Sequence, residues 1–382
     1  MQESAPPILK LRRYYMSVDL SDSIAKVRAA TGKNSFRQGA EILAMMLRGQ
    51  KLKAEDYFQL GLWRPDLPHE EKAAFVSTLR GRAINLQLSP LDRMSLYGFT
   101  TNKFLTGLAL RSAGFPAQKP RALYGLSIKI PEAEALESAA DIAGWLRRDG
   151  SLPVFGKPLH KSLCIGAASY LSLEDQGKSV RLGTGEVVSI DALSVEIAEN
   201  FGDGYLFEPL IVQHPDVEAI TGPAVGALRV VTLREPDGIR VLYVAQRLPA
   251  VGGMTDGANR NAPSSWALID AESGRIVRVQ DMDQLPPDRL EASHVTGKLF
   301  ADVVLPFVRE AQTIACDVHR LLVGAGILGF DFGLSKAGPV INEVNSNPHH
   351  LVYQRSGDRG LLNADLKPRI ESAIAYAKST RR

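Results

Sequence analysis

The stretch from Leu328 to Pro348, Leu-Gly-Phe-Asp-Phe-Gly-Leu-Ser-Lys-Ala-Gly-Pro-Val-Ile-Asn-Glu-Val-Asn-Ser-Asn-Pro, constrains this 382-residue chain more than any other. Two apolar, strand-like runs flank a polar turn at Lys336, Ala337 and Gly338, which predicts a β-hairpin. Pairing symmetric about Ala337 sets Asp331 directly opposite Glu343. Like charges opposed in this way, with Cβ atoms about 4.5–5.5 Å apart, destabilise a strand pair, so a cation is expected between them. Asn345 leaves the same face of its strand as Glu343 and adds a carbonyl oxygen. Asp331, Glu343 and Asn345 together offer an oxygen-only donor set that suits Mg²⁺ or Mn²⁺, especially where phosphates share the ion. The competing reading is of ordinary polar residues at a strand end, because short acidic patterns also arise by chance.

The rest of the chain narrows the class. Its 45% hydrophobic and 23% charged content is that of a globular protein long enough for two or three lobes. The net charge of +3 comes from 45 basic and 42 acidic residues spread along the chain, which argues against a nucleic-acid partner. The one local basic cluster, Lys10 to Arg13, and the terminal Arg381 and Arg382 read as solvated ends. Two cysteines, Cys164 and Cys316, make no disulfide scaffold and fit a reducing compartment. Neither a signal peptide nor a membrane span is evident, since the longest apolar run near the start, Ala40 to Leu47, contains Glu41; the expected location is the cytoplasm.

From Ser21 to about Arg111 the pattern is mainly helical, with Ile24, Val27, Ile42, Leu43, Met46 and Leu47 at helical spacing. The run Tyr57 to Trp63 continues an apolar helix that stops at Pro65, and its aromatics read as core. Asn102 and Lys103 open another helix, which ends at Gly114-Phe115-Pro116. The character changes near Ser151, where short strands and Gly-containing turns begin. Pro153 to Pro158 is a strand that carries Lys157 into a loop over residues 160 to 167, where Cys164 reads as a buried small residue without a catalytic partner. Tyr205 to Gln213 is an apolar strand interrupted by Glu208.

Ala227 to Arg234 and Ile239 to Arg247 form the clearest hairpin. A three-residue loop, Pro236 to Gly238, brings Arg229 and Arg247 out on one face, where their planar forks suit a phosphate or a carboxylate; another loop length separates them. The Gly-rich stretch Val251 to Asn261 reads as a mobile substrate loop with Asp256 and Asn259 as candidates. Val303 to Val323 predicts a long amphipathic helix, and His349-His350 follows the hairpin as a structural or substrate-facing pair.

An Asp followed by Glu-x-Asn-x-x-Pro at the end of the next strand, here Asp331, Glu343, Asn345 and Pro348, resembles the metal-binding hairpin of the ATP-grasp superfamily. The wider order of Lys103, Lys157, Glu208, Arg229 and this hairpin resembles its sugar-transfer-associated branch, over roughly residues 90 to 360. The resemblance implies an α/β ATP-grasp fold, with two lobes sandwiching ATP and an unusual helical N-terminal region. It places that region at 1–89, a linking region at 90–150, a small lobe at 151–210 and a large lobe with the metal site at 211–382. By the same resemblance Lys103 and Lys157 hold phosphates, with Lys161 as a second contact in a loop that has only Gly166 where several glycines are usual. Glu208 and the backbone around Ile211 would read adenine, and a ribose contact is expected within His214 to Glu218. Arg229 and Arg247 would meet the transferred phosphate or a substrate carboxylate.

The implied reaction is ADP-forming: a small-molecule carboxylate, activated by ATP and Mg²⁺ as an acyl phosphate, is captured by an amine. Sugar-linked substrates are the association of that branch. A kinase with a hydroxyl acceptor and a nucleotide-binding module without chemistry are the alternatives. Oligomeric state is not legible.

Overall fold

The computed structural model describes residues 7–9, 19–89, 93–126, 130–162, 164–257, 264–281, 285 and 288–380. Lys10 to Arg13, Asn259, Arg381 and Arg382 lie outside the described residues.

The N-terminal third is helical as its periodicity predicts, with helices Leu20–Thr31, Ser35–Leu47, Ala54–Gln59, His69–Ala74, Thr78–Leu88, Arg93–Thr101 and Lys103–Ser112. Asp19, Asn34, Ser77 and Asn102 each accept a backbone N–H at a helix start, satisfying donors the helix itself leaves free. The helix over Tyr57 ends at Gln59 rather than reaching Pro65, because the chain turns at Gly61, whose φ of 64° is left-handed. Tyr57, Phe58 and Trp63 are nonetheless buried.

Two sheets follow. The first contains β1 (Ala122–Tyr124), β2 (Glu134–Leu136), β3 (Val154–Pro158), β4 (Ala168–Glu174), β5 (Ser179–Leu182), β6 (Val187–Ser189) and β7 (Tyr205–Pro209), in the order β2-β1-β7-β3-β4-β5-β6. β1 and β2, N-terminal to residue 150, extend the same sheet through β7. The second sheet contains β8 (Ala227–Glu235), β9 (Gly238–Leu248), β10 (Ser265–Ile269), β11 (Ile276–Asp281), β12 (Ile327–Ser335) and β13 (Gly338–Asn345), in the order β11-β10-β9-β8-β12-β13. Its strand pairs are all antiparallel.

Each sheet has its own core. Helices Ala139–Leu146 and Ile190–Asn200 bury Trp145, Ile142, Leu193 and Ile197 with Phe207 of the first sheet. Helix Val308–Leu321 lays Val308, Ala311, Ala315 and Val318 on Phe330 and Leu328 of the second; it is shorter at both ends than the amphipathic run Val303 to Val323. The N-terminal helices do not stand apart. Tyr57, Phe58 and Trp63 share a core with Ala245 and Trp266 of the second sheet and with Leu351 and Val352. At Gly326, just before β12, a Cβ would lie 1.8 Å from the Leu88 carbonyl oxygen, so only glycine lets helix Thr78–Leu88 dock there.

Candidate active site

Both long hairpins reach their register by the same device. In β12–β13, Ser335 pairs with Gly338 across a two-residue turn, and Asn342 is an extra residue on β13, a bulge that restores Asp331 opposite Glu343. In β8–β9, Glu235 pairs with Gly238 across Pro236 and Asp237, and Leu242 is the extra residue that sets Arg229 opposite Ala245. The three-residue loop expected for this hairpin is thus a two-residue turn plus a bulge. Arg247, two residues beyond Ala245, shares the face of Arg229.

β12 lies between β8 and β13, so Arg229, Asp331 and Glu343 form one row across three strands. The cation required between opposed carboxylates comes in part from the protein itself. Arg229 Nε donates to Asp331 Oδ1, and Arg229 Nη2 donates to Oδ2 at 2.7 Å, a bidentate pair with both residues buried. Burial works against the Arg229 charge, but the Asp331 carboxylate more than offsets it and raises the guanidinium pKa.

A cavity of about 630 Å³ opens between the two sheets. The five residues assigned to nucleotide, Lys103, Lys157, Lys161, Glu208 and Ile211, all line it. So do Arg229 and Arg247, and so do Asp331, Glu343 and Asn345. Lys157 Nζ lies 2.7 Å from Glu208 Oε2 and donates to Asn342 Oδ1 at 2.9 Å, so the bulge residue of the second sheet holds the lysine of the first. Lys103 Nζ donates to the Lys161 carbonyl at 2.5 Å and to the Leu159 carbonyl at 3.4 Å. Burial pushes the Lys103 ammonium pKa down, against the pull of Glu343. Ile211 packs where a Gly333 Cβ would be, 2.5 Å from its Cδ1, and so forms an apolar wall on β12.

Arg247 lies 3.3 Å from Asp256 Oδ2 and donates to the Asp256 carbonyl at 3.2 Å. Cys164 Sγ approaches the same carboxylate at 3.4 Å, and burial and then Asp256 push the thiol up to about 12, which keeps it un-ionised. His350 is structural: it contacts Asn85 Oδ1 at 2.8 Å and the Tyr243 hydroxyl at 3.1 Å, and burial first, then His349 and Arg229, lower it to about 3. His349 lines the cavity.

No group of three His, Cys, Asp or Glu side chains able to hold a metal occurs among the described residues. The donor set is still compatible with a hard cation. Glu343 and Asn345 line the cavity one strand repeat apart, and no side-chain hydrogen bond or ion pair among the described residues engages either. Asp331 is shared with Arg229, so Glu343 is the carboxylate open to an ion.

Two contributions have no sequence signal. Asn342 reads as an ordinary neighbour of Glu343 until the bulge turns it towards Lys157. Thr78 and Thr100, from helices remote from the strand motifs, also line the cavity; Thr100 Oγ1 donates to Ser346 Oγ at 3.0 Å.

The ion pair changes what Lys157→Ala should do. An exposed lysine could be removed from the nucleotide-free protein at little cost, but this one would leave Glu208 buried and unpaired, with a loss of roughly 3–5 kcal/mol. ATP binding should weaken by at least about tenfold as well. Thermal unfolding with and without ATP separates the two effects, and equal ATP-induced shifts in variant and wild type would remove Lys157 from the nucleotide site.

Residues 178–368 match the sugar-transfer associated ATP-grasp family. No curated protein matches the chain. Similar solved structures include a D-alanine-D-alanine ligase from Coxiella burnetii, 14% identical, covering 74% of this chain and 59% of that one with a TM-score of 0.38. An N5-carboxyaminoimidazole ribonucleotide synthetase in complex with ADP is 15% identical, with 66% and 46% coverage and a TM-score of 0.37. The VanG D-Ala:D-Ser ligase from Enterococcus faecalis is 14% identical, with 73% and 62% coverage and a TM-score of 0.39. The chain thus spans less than two thirds of each of these relatives. Among the described residues no helix is long and apolar enough to cross a membrane.

Proposed function

The chain belongs to the sugar-transfer associated ATP-grasp family, whose match spans half its length, and from that premise we propose that it is an ADP-forming carboxylate–amine ligase. One observation carries the reading: one cavity between the sheets is lined by Lys103, Lys157 and Lys161, by Arg229 and Arg247, and by the open carboxylate of Glu343. Such a cavity suits a triphosphate and a second anion brought together.

Lys103 and Lys157 line the cavity and would fix phosphate oxygens, with Glu208 orienting Lys157. Ile211 offers an apolar wall to a base, and Glu208 is the neighbouring acceptor for an amino edge. Glu343 and Asn345, with Asp331 beside them, would hold Mg²⁺, which supplies charge neutralisation at phosphate oxygens. Arg229, fixed in orientation by Asp331, and Arg247, fixed by Asp256, would hold the substrate carboxylate near the γ-phosphate. A carboxylate oxygen then attacks the γ-phosphorus and ADP leaves; an amine attacks the acyl carbon and phosphate leaves. The chain contributes alignment and charge, and no covalent nucleophile is needed. The family association favours a sugar-linked carboxylate or amine.

With ATP, Mg²⁺ and a panel of amino acids and sugar acids, the protein should release ADP and phosphate in equal amounts, and hydroxylamine should trap the acyl phosphate as a hydroxamate. ADP without free phosphate or hydroxamate would identify a kinase instead. AMP and pyrophosphate would exclude both, and no turnover with any acid would favour a binding module.

A further inference from the structure

Helix Ser35–Leu47 buries one face, with Gln38 and Met45 inward, and leaves the other apolar and uncovered among the described residues. Phe36 is 84% exposed, Leu43 57%, Met46 48% and Leu47 80%. Their positions are not scattered. Phe36, Ala40, Leu43 and Leu47 follow the spacing of a single helical stripe, flanked by Gly39 and Met46. The four large side chains together expose on the order of 500 Å² of apolar surface, a patch size that marks a contact site on a soluble protein.

We infer that this face is the interface of a two-fold dimer in which the helix packs antiparallel on its copy. The stripe is self-complementary in that arrangement. With the dyad between Glu41 and Ile42, Phe36 lies across from Leu47 of the second copy, and the small Ala40 lies across from Leu43. The stripe then meets itself in four pairs related by the dyad, two of Phe36 on Leu47 and two of Ala40 on Leu43, as an isologous contact requires. Gly39 assists close approach: a Cβ built there meets nothing within 4 Å in the protomer. Doubling the patch by symmetry gives about 1,000 Å² from these side chains alone, which reaches the lower bound of a specific interface. The helix lies outside the family-matched segment and away from the cavity, so the dimer is independent of the proposed reaction.

Sedimentation velocity of the full chain over a concentration series should show a reversible dimer. Phe36→Glu and Leu47→Lys should each raise its dissociation constant by at least about a hundredfold, with unfolding of the protomer unchanged because both side chains are exposed. F36E/L47K places opposite charges across from one another twice in the proposed register and should recover at least about tenfold of that loss. Dimerisation unchanged by either single substitution, or no recovery in the double variant, would overturn the interface. So would a wild-type chain that stays monomeric, including one that instead sediments with phosphatidylcholine–phosphatidylglycerol vesicles through these residues.

Discussion

Glu343→Gln is expected to lower Mg²⁺-dependent ATP turnover by at least about two orders of magnitude while the protein stays folded. A hundredfold loss corresponds to about 2.7 kcal/mol of transition-state stabilisation, the scale expected when a carboxylate ligand to a catalytic cation becomes a neutral amide. Glu343 is the carboxylate for which this substitution is cleanest. It is only partly buried, and no side-chain hydrogen bond or ion pair among the described residues engages it, so the isosteric amide removes charge without stranding a partner. Lys103 feels that charge, and losing it should depress the ammonium further and weaken phosphate binding in the same direction. ADP formation at saturating Mg²⁺, read beside the unfolding temperature, checks the prediction. Near-normal turnover would dismiss the metal assignment.

The Arg229–Asp331 pair should behave in the opposite way, with stability as the first casualty. Removing either partner, by Asp331→Ala or Arg229→Ala, leaves the other charge buried, and urea unfolding should report a loss of roughly 3–5 kcal/mol. Removing both together, as Arg229→Met with Asp331→Leu, should cost clearly less than the sum of the single losses, because neither charge is then stranded. Asp331→Asn tests the function of the pair, since it keeps the shape but loosens the hold on Arg229 and subtracts a metal oxygen. Its turnover should fall together with its stability. Single-variant losses within about 1 kcal/mol of wild type would show that the pair is not the buried, desolvated contact described here.

How much of this was legible depended on the range of the interaction. The alternation of Leu328 to Ser335 and Val340 to Asn345 required a hairpin, and the need to keep each strand's apolar face inward placed Asp331 against Glu343. The placement held although the turn was shorter than the symmetric pairing assumed, because Asn342 makes up the missing residue. The same compensation at Leu242 kept Arg229 and Arg247 on one face. Bulges escape a reading based on strict alternation, since one extra residue reverses its phase between two flanks that each look regular alone. The helix start at Asn102 was also local, an amide oxygen ahead of an apolar run.

Contacts across long stretches of sequence were decided only by tertiary structure. The order of the sheet brings β8 beside β12, and with it Arg229 onto Asp331, 102 residues away. The two were read separately, one as a substrate anchor and one as a metal ligand, because nothing local tells an arginine which carboxylate will be its neighbour. Lys157 likewise meets Asn342 only because the two sheets face each other across the cavity, and β1 and β2 join the first sheet only through β7. Local alternation and capping chemistry fixed the elements and the faces their side chains occupy, since those follow from backbone geometry within a few residues. Which charged groups neutralise one another followed from strand order and lobe packing, where burial makes an unpaired charge costly and the fold selects the partner.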